Sequence, residues 1–135
     1  MKKIFCVLIL SSALCACSSV SDRALDSSAS QVATRSYQTK SFDTTDTDNV
    51  LRSVIATMQD LGFIIDRADR NIGTVSGYSF TNKTNMTVTV RAKGNETLVR
   101  ANAEYNSKAI TEPQAYQNFF NALAQSLFLT ANDVL

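Results

Sequence analysis

The chain has 135 residues, a formal net charge of +1, three cysteines, one proline and neither histidine nor tryptophan, and that length makes one domain. Without histidine, His-based triads are excluded, and the near-neutral charge gives no electrostatic case for nucleic acid or anionic lipid headgroups. Apolar residues, 44% of the total, crowd into residues 4–17 and are scarce over 18–49.

Met1-Lys2-Lys3 precedes the apolar stretch Ile4-Phe5-Cys6-Val7-Leu8-Ile9-Leu10 and the small residues Ser11-Ser12-Ala13. A short basic segment, an apolar stretch of about 7–15 residues and small residues make a secretory signal, too short for a membrane span of about 20. Leu14-Cys15-Ala16-Cys17 resembles a bacterial lipobox, with leucine three residues before Cys17 and the small Ala16 just before it. Cys15 is the weaker acceptor, because Leu14 would then stand where a small residue is needed.

The resemblance implies cleavage after Ala16, diacylation of Cys17 and an acylated amino terminus, so residues 1–16 are expected to be a signal peptide. Ser18 stands in place of the aspartate that marks inner-membrane retention, which implies the periplasmic face of the outer membrane. The mature chain then has no cysteine beyond the acylated one, which excludes disulfides and thiol nucleophiles. Losing Lys2 and Lys3 leaves acidic side chains one ahead of basic ones. Acyl chains contribute roughly 0.8 kcal/mol for each buried methylene and hold a protein on a membrane without spanning it.

Residues 18–34 are rich in serine and alanine with no sustained apolar period, the composition of a flexible tether on the order of 20–25 Å end to end. The acylated cysteine and tether thus occupy 17–34, and a periplasmic domain 35–135. Residues 35–42, with Tyr37, Thr39 and Phe42, read as a strand. Asp43 to Asn49 supplies candidate N-caps in Thr45 or Asp46, with Asp48 in the first turn. Val50, Leu51, Val54, Ile55, Met58 and Leu61 then make one stripe of a 3.6-residue period that ends at Gly62, a helix of about 46–61. Residues 63–67 are a strand, Asp69 to Gly73 a turn or bulged loop, and Thr74–Phe80 another strand.

Met86, Val88, Val90 and Ala92 alternate with Thr87, Thr89, Arg91 and Lys93; after Gly94-Asn95, Val99, Ala101, Ala103 and Tyr105 alternate with Leu98, Arg100, Asn102 and Glu104. A two-residue turn at Gly94-Asn95 pairs Lys93 with Glu96, Val90 with Val99 and Val88 with Ala101. After a polar loop, Thr111-Glu112-Pro113-Gln114 has the form of a capping box. Tyr116, Phe119, Phe120, Leu123 and Leu127 give the apolar stripe of a helix over about 112–129, with Phe128 and Leu129 sealing the core.

The order β-α-β-β-β-β-α predicts an α+β domain, an antiparallel sheet of about five strands with two helices packed on one face. This order resembles the helix-grip domains of the lipoprotein subunit of the outer-membrane β-barrel assembly machine. The segment from Thr44 to Gly73, with Leu-Arg-Ser-Val-Ile-Ala-Thr-Met-Gln-Asp-Leu-Gly-Phe at its centre, is similar to a family of small, functionally uncharacterised proteobacterial outer-membrane lipoproteins, a likeness that covers most of 35–130. These resemblances imply a fold and an address and bring no catalytic motif.

The residues themselves offer little chemistry. Asp43, Asp46 and Asp48 lack the central glycine and terminal glutamate of a calcium loop, and a helix start wants such acids for cap and dipole reasons. Asp66 with Asp69, or Glu104 with Glu112, could be scanned as a carboxylate pair for glycoside cleavage, but any chain with 12 acids offers such pairs. Ser107-Lys108 has the residue types of a Ser-Lys dyad in adjacent positions that seldom face each other. Gly73 to Gly77 is followed by neither lysine nor helix and is no phosphate loop; glycines inside strands mark bulges or close backbone approach. The Asn-x-Thr triplets at Asn82, Asn85 and Asn95 are acceptors only in eukaryotic secretion.

No cofactor, metal or catalytic residue is expected. The outward side of the central hairpin holds Thr87, Thr89, Arg91, Leu98, Arg100 and Asn102, with Tyr78 or Phe80 joining them. Such a face is either a protein-binding surface or the solvated side of a half-buried sheet. Arg91, Arg100, Thr89, Asn102 and Tyr78 are its candidate binding residues and Cys17 the lipidation site. The expected role is a nonenzymatic adaptor or accessory subunit of an envelope assembly. The alternative is a small-ligand or lipid carrier with a cavity between the second helix and the sheet, lined by Tyr116, Phe119, Phe120 and Leu123.

Overall fold

The computed structural model describes residues 31–132, with side chains over 31–128. The chain divides into Met1–Val32 and Ala33–Leu135, and the fold belongs to the second unit. Signal, Cys17 and the tether as far as residue 30 lie outside the described residues; the end of the expected tether, 31–34, is helical.

The strand expected over 35–42 is split. Residues 31–38 are helical (α1) and Thr39–Phe42 is the strand β1. Side chains adjacent in a strand point to opposite faces, whereas in a helix neighbours can converge, and here Tyr37 and Gln38 both reach Tyr116. The Tyr37 and Tyr116 ring centroids are 5.7 Å apart, Gln38 Nε2 donates to the Tyr116 hydroxyl at 3.1 Å, and the Tyr37 hydroxyl donates to the carbonyl of Thr111 at 2.5 Å. Tertiary partners thus override the strand-like composition of this stretch.

Helix α2 (Thr47–Asp60) starts where its cap chemistry dictates, with Asp46 accepting from the Asn49 amide at 3.0 Å. It stops in a Schellman motif: Gly62 takes φ +86°, its N–H meets the Gln59 carbonyl at 3.0 Å and the Phe63 N–H meets that of Met58 at 2.9 Å. Only a residue without Cβ reaches that φ cheaply. Strands β2 (Ile64–Asp69), β3 (Thr74–Ser79), β4 (Thr84–Lys93), β5 (Glu96–Tyr105) and β6 (Lys108–Ala109) follow, then helix α3 (Pro113–Asn132).

The fold is α+β, with a six-stranded antiparallel sheet in the order β1-β5-β4-β3-β2 and β6 also paired to β5. Because β1 and β2 stand at opposite edges, α2 must cross the sheet between them, and β2 to β5 then meander back to β1. The β4–β5 hairpin has the expected register, Lys93 to Glu96, Val90 to Val99 and Val88 to Ala101, with Gly94 at φ +61° in its two-residue loop. One face of the sheet is covered. Val75, Met86, Val88, Val90, Val99, Ala101 and Ala103 meet Val50, Leu51, Val54 and Met58 of α2 and Tyr116, Phe119, Phe120 and Leu123 of α3 in one core.

Three local expectations change. The polar loop after β5 is a tight hairpin, because Asn106 (φ +47°) and Ser107 (φ +62°) adopt the paired positive φ of a two-residue turn and set Lys108 against Tyr105. The capping box at Thr111 does not form. Helix α3 begins at Pro113, which puts the cap position at Glu112, and Gln114 Nε2 donates forward to Asn118 at 2.9 Å. Phe128, expected to seal the core, is 69% exposed.

The edge of β5 is closed in three pieces, by β1 along Thr97–Arg100 and by β6 at Glu104 and Tyr105. Between them the Ala103 N–H donates to the Tyr116 hydroxyl at 3.2 Å, and that hydroxyl donates to the Ile110 carbonyl at 2.7 Å. Tyr116, 1% exposed, thereby fastens α1, β5, α3 and the chain between β6 and α3 at one atom. Buried backbone groups must be paired, and here a side chain does what a missing strand would have done.

Candidate functional site

Pairing places the predicted outward residues on one face. Arg91 stands opposite Leu98, Thr89 opposite Arg100 and Thr87 opposite Asn102, while Tyr78 stands opposite Asn85 on the neighbouring strand. The alternation that buries Val88, Val90, Val99 and Ala101 under the helices forces these side chains to the open side. Arg91, Arg100 and Asn102 are exposed and Thr89 and Tyr78 half-buried.

Arg91 and Arg100 are diagonal neighbours, each opposite a residue two positions from the other. Among the described residues the only ion pair is Arg70 with Asp48 at 3.9 Å, so neither guanidinium has a carboxylate beside it. Two like charges at such spacing repel mildly, and each arginine offers five N–H donors in a planar fork suited to carboxylates and backbone carbonyls. The Thr87, Thr89 and Asn102 side chains add short hydroxyl and amide groups, a flat polar surface with cations at one end.

The other end is apolar. Phe80 packs edge-on against Tyr78 with ring centroids 4.7 Å apart, and Ile64, 58% exposed, lies opposite Tyr78 on β2. Ile64, Asp66 and Arg67 were not legible as part of this face. A bulge between Ile65 and Arg67 shifts the register of β2, and Asp66 accepts from the Ser76 hydroxyl at 2.8 Å; Ile64-Ile65 shows no alternation from which its face could be read.

The carboxylates scanned for chemistry are engaged or apart. Asp69 Oδ1 accepts the amides of Asn71 (2.9 Å) and Ile72 (3.3 Å) in the β2–β3 turn, Asp46 caps α2, and Asp48 faces Arg70. Glu104 stands on β5 and Glu112 in the lead into α3. Ser107 holds the β5–β6 turn. Gly77 allows close approach: a Cβ there would lie 2.8 Å from the Ile64 carbonyl oxygen and 3.2 Å from the Met58 methyl.

Tyr116, Phe119, Phe120 and Leu123, the expected lining of a carrier cavity, are core side chains at most 4% exposed, and Tyr116 and Phe119 also line a cleft. A cleft of about 220 Å³ opens at the first turns of α3, walled by Leu61, Phe63, Met86, Ala103, Ile110 and Phe119. A larger polar groove of about 520 Å³ runs from the start of α2 to the β2–β3 turn and includes Asp48, Arg70 and Arg91. Among the described residues no helix is long and apolar enough to cross a membrane. The chain matches no protein-family model and no curated protein sequence.

Proposed function

We propose that this chain is an outer-membrane lipoprotein, anchored through acyl chains on Cys17, whose α+β domain acts in the periplasm as a nonenzymatic adaptor subunit of an envelope assembly. The observation that carries the reading is the open sheet face, where unpaired Arg91 and Arg100 stand at one end of a threonine-rich surface and Tyr78 at the other. Arginine and tyrosine are the side chains in which binding energy concentrates at protein interfaces. The lipobox-like Leu14-Cys15-Ala16-Cys17 supports the address, and the likeness to helix-grip lipoprotein domains supports the adaptor role.

Native affinity purification from membranes, with mass spectrometry of the proteins recovered, tests both parts. Replacing Arg91 and Arg100 together by glutamate should leave the thermal midpoint nearly unchanged, because exposed charges contribute only about 0–1 kcal/mol each. It should abolish partner recovery, since like charges across an interface cost several kcal/mol. A folded double variant that still recovers every wild-type partner overturns the assignment of this face. Cys17→Ser should leave an uncleaved or soluble precursor, and normal outer-membrane anchoring of that variant overturns the address.

A further inference from the structure

Leu61, Ile64, Phe80 and Tyr105 are four of the seven large apolar side chains exposed among the described residues, and all four stand at one end of the sheet. Ile64 opens β2 opposite Tyr78, Phe80 follows the last residue of β3, and Thr84 opens β4 opposite both Ser79 and Tyr105. Leu61 caps the end of α2 and shares the wall of the 220 Å³ cleft with Asn82 and Thr84. Ile64 and Phe80 belong to the open side with Tyr78, whereas Tyr105 continues the covered alternation of Ala101 and Ala103. The apolar surface thus wraps the end of the sheet and belongs to neither face alone. From β2 to β5 it crosses three strand spacings, about 15 Å. Apolar groups gathered in this way in water mark an interaction surface.

The chain arrives at the same end. Strand β1 runs from Thr39 opposite Arg100 to Phe42 opposite Thr97, so the residues before it come from the side on which β5 finishes at Tyr105. Just ahead of β1, Tyr37 donates to the carbonyl of Thr111, two residues beyond β6. Charge does not select the occupant. Lys83 after Phe80 and Lys108 opposite Tyr105 are offset by Asp60 before Leu61 and Glu104 before Tyr105. What remains is apolar burial rimmed by a tyrosine hydroxyl and two lysine stems, the composition that suits the level of lipid headgroups.

We propose that this end of the domain docks on the lipid bilayer that holds the anchor, with Phe80, Ile64, Leu61 and Tyr105 entering the headgroup region to a depth of about 5–10 Å. The inference rests on the lipid-anchored reading and adds an orientation to it. Arg91 and Arg100 lie toward the Gly94-Asn95 turn at the opposite end, clear of the lipid and open to a partner. Because apolar burial and not charge makes the contact, it needs no anionic lipid and resists salt.

The chain has no tryptophan, so Phe80→Trp places its only indole at the docking end. Ile72→Trp, at an exposed position in the β2–β3 turn at the other end, is the control. Each full chain is extracted from membranes and reconstituted in vesicles of phosphatidylcholine and phosphatidylethanolamine; flotation reports the anchor, and brominated acyl chains report contact of the indole with lipid. Both variants should float. The indole at 80 should be quenched by the brominated lipid at low and high salt and shielded from aqueous acrylamide, and the indole at 72 should behave in the opposite way. Replacing Leu61, Ile64 and Tyr105 by serine in the Phe80→Trp chain should leave flotation intact and remove most of the lipid quenching. A floating chain whose indole at 80 is quenched no more than that at 72, or is shielded from lipid and acrylamide alike because protein covers it, overturns the docking alone. Quenching that salt abolishes or that the serine substitutions leave unchanged does the same. A chain that does not float overturns the anchored reading and the docking with it.

Discussion

The two faces of the β4–β5 hairpin come from one stretch of alternating sequence and meet different fates. On one side Val88, Val90, Val99, Ala101 and Ala103 disappear beneath α2 and α3; on the other Thr87, Arg91, Arg100 and Asn102 remain in solvent. The covered face carries the folding free energy, through apolar area removed from water and close packing. The open face contributes little to stability, so its residues are free to be chosen for binding. Substitutions on the two faces should differ in size and in what they change.

The largest effect belongs to the covered side. Phe119→Ala should cost about 3–5 kcal/mol, as deletion of a buried aromatic does, read as the shift of a urea midpoint at constant slope. Tyr116→Phe keeps the ring and strands the Ala103 N–H, the Ile110 carbonyl and the Gln38 amide together, so about 2–4 kcal/mol should go; a loss below about 0.5 would show that water replaces the hydroxyl.

Val90→Ala should cost about 1–3 kcal/mol and its strand neighbour on the other face, Thr89→Ala, under about 0.5. Equal losses at 89 and 90 break the comparison outright.

One covered position should go the other way. The Thr57 hydroxyl is buried without a hydrogen-bond partner among the described residues, so the nearly isosteric Thr57→Val removes an unsatisfied polar group and should raise stability by about 1 kcal/mol. A loss instead would mean that the hydroxyl has a partner, a trapped water included.

Elements whose signals are local were legible in sequence. The 3.6-residue stripes of α2 and α3, the Asp46 cap, the Gly62 stop and the Gly94-Asn95 register each depend on residues within a few positions of one another. Because pairing geometry converts alternation directly into sidedness, the open face with Arg91, Arg100, Thr89, Asn102 and Tyr78 was legible too.

Contacts between residues distant in sequence were not. Tyr37 and Gln38 are helical because Tyr116, nearly eighty residues away, receives them. Ile64 and Arg67 reach the open face because a bulge shifts β2, and the local β5–β6 turn went unread because Asn106 and Ser107 take positive φ without a glycine to mark it.

By itself the sequence determined the two amphipathic helices, the β4–β5 hairpin and which side of each is apolar, since those follow from backbone period. Only the tertiary structure decided the strand order and the closing of the β5 edge through one tyrosine hydroxyl. Each of these requires segments far apart in the chain to meet, and no local period encodes which of them will.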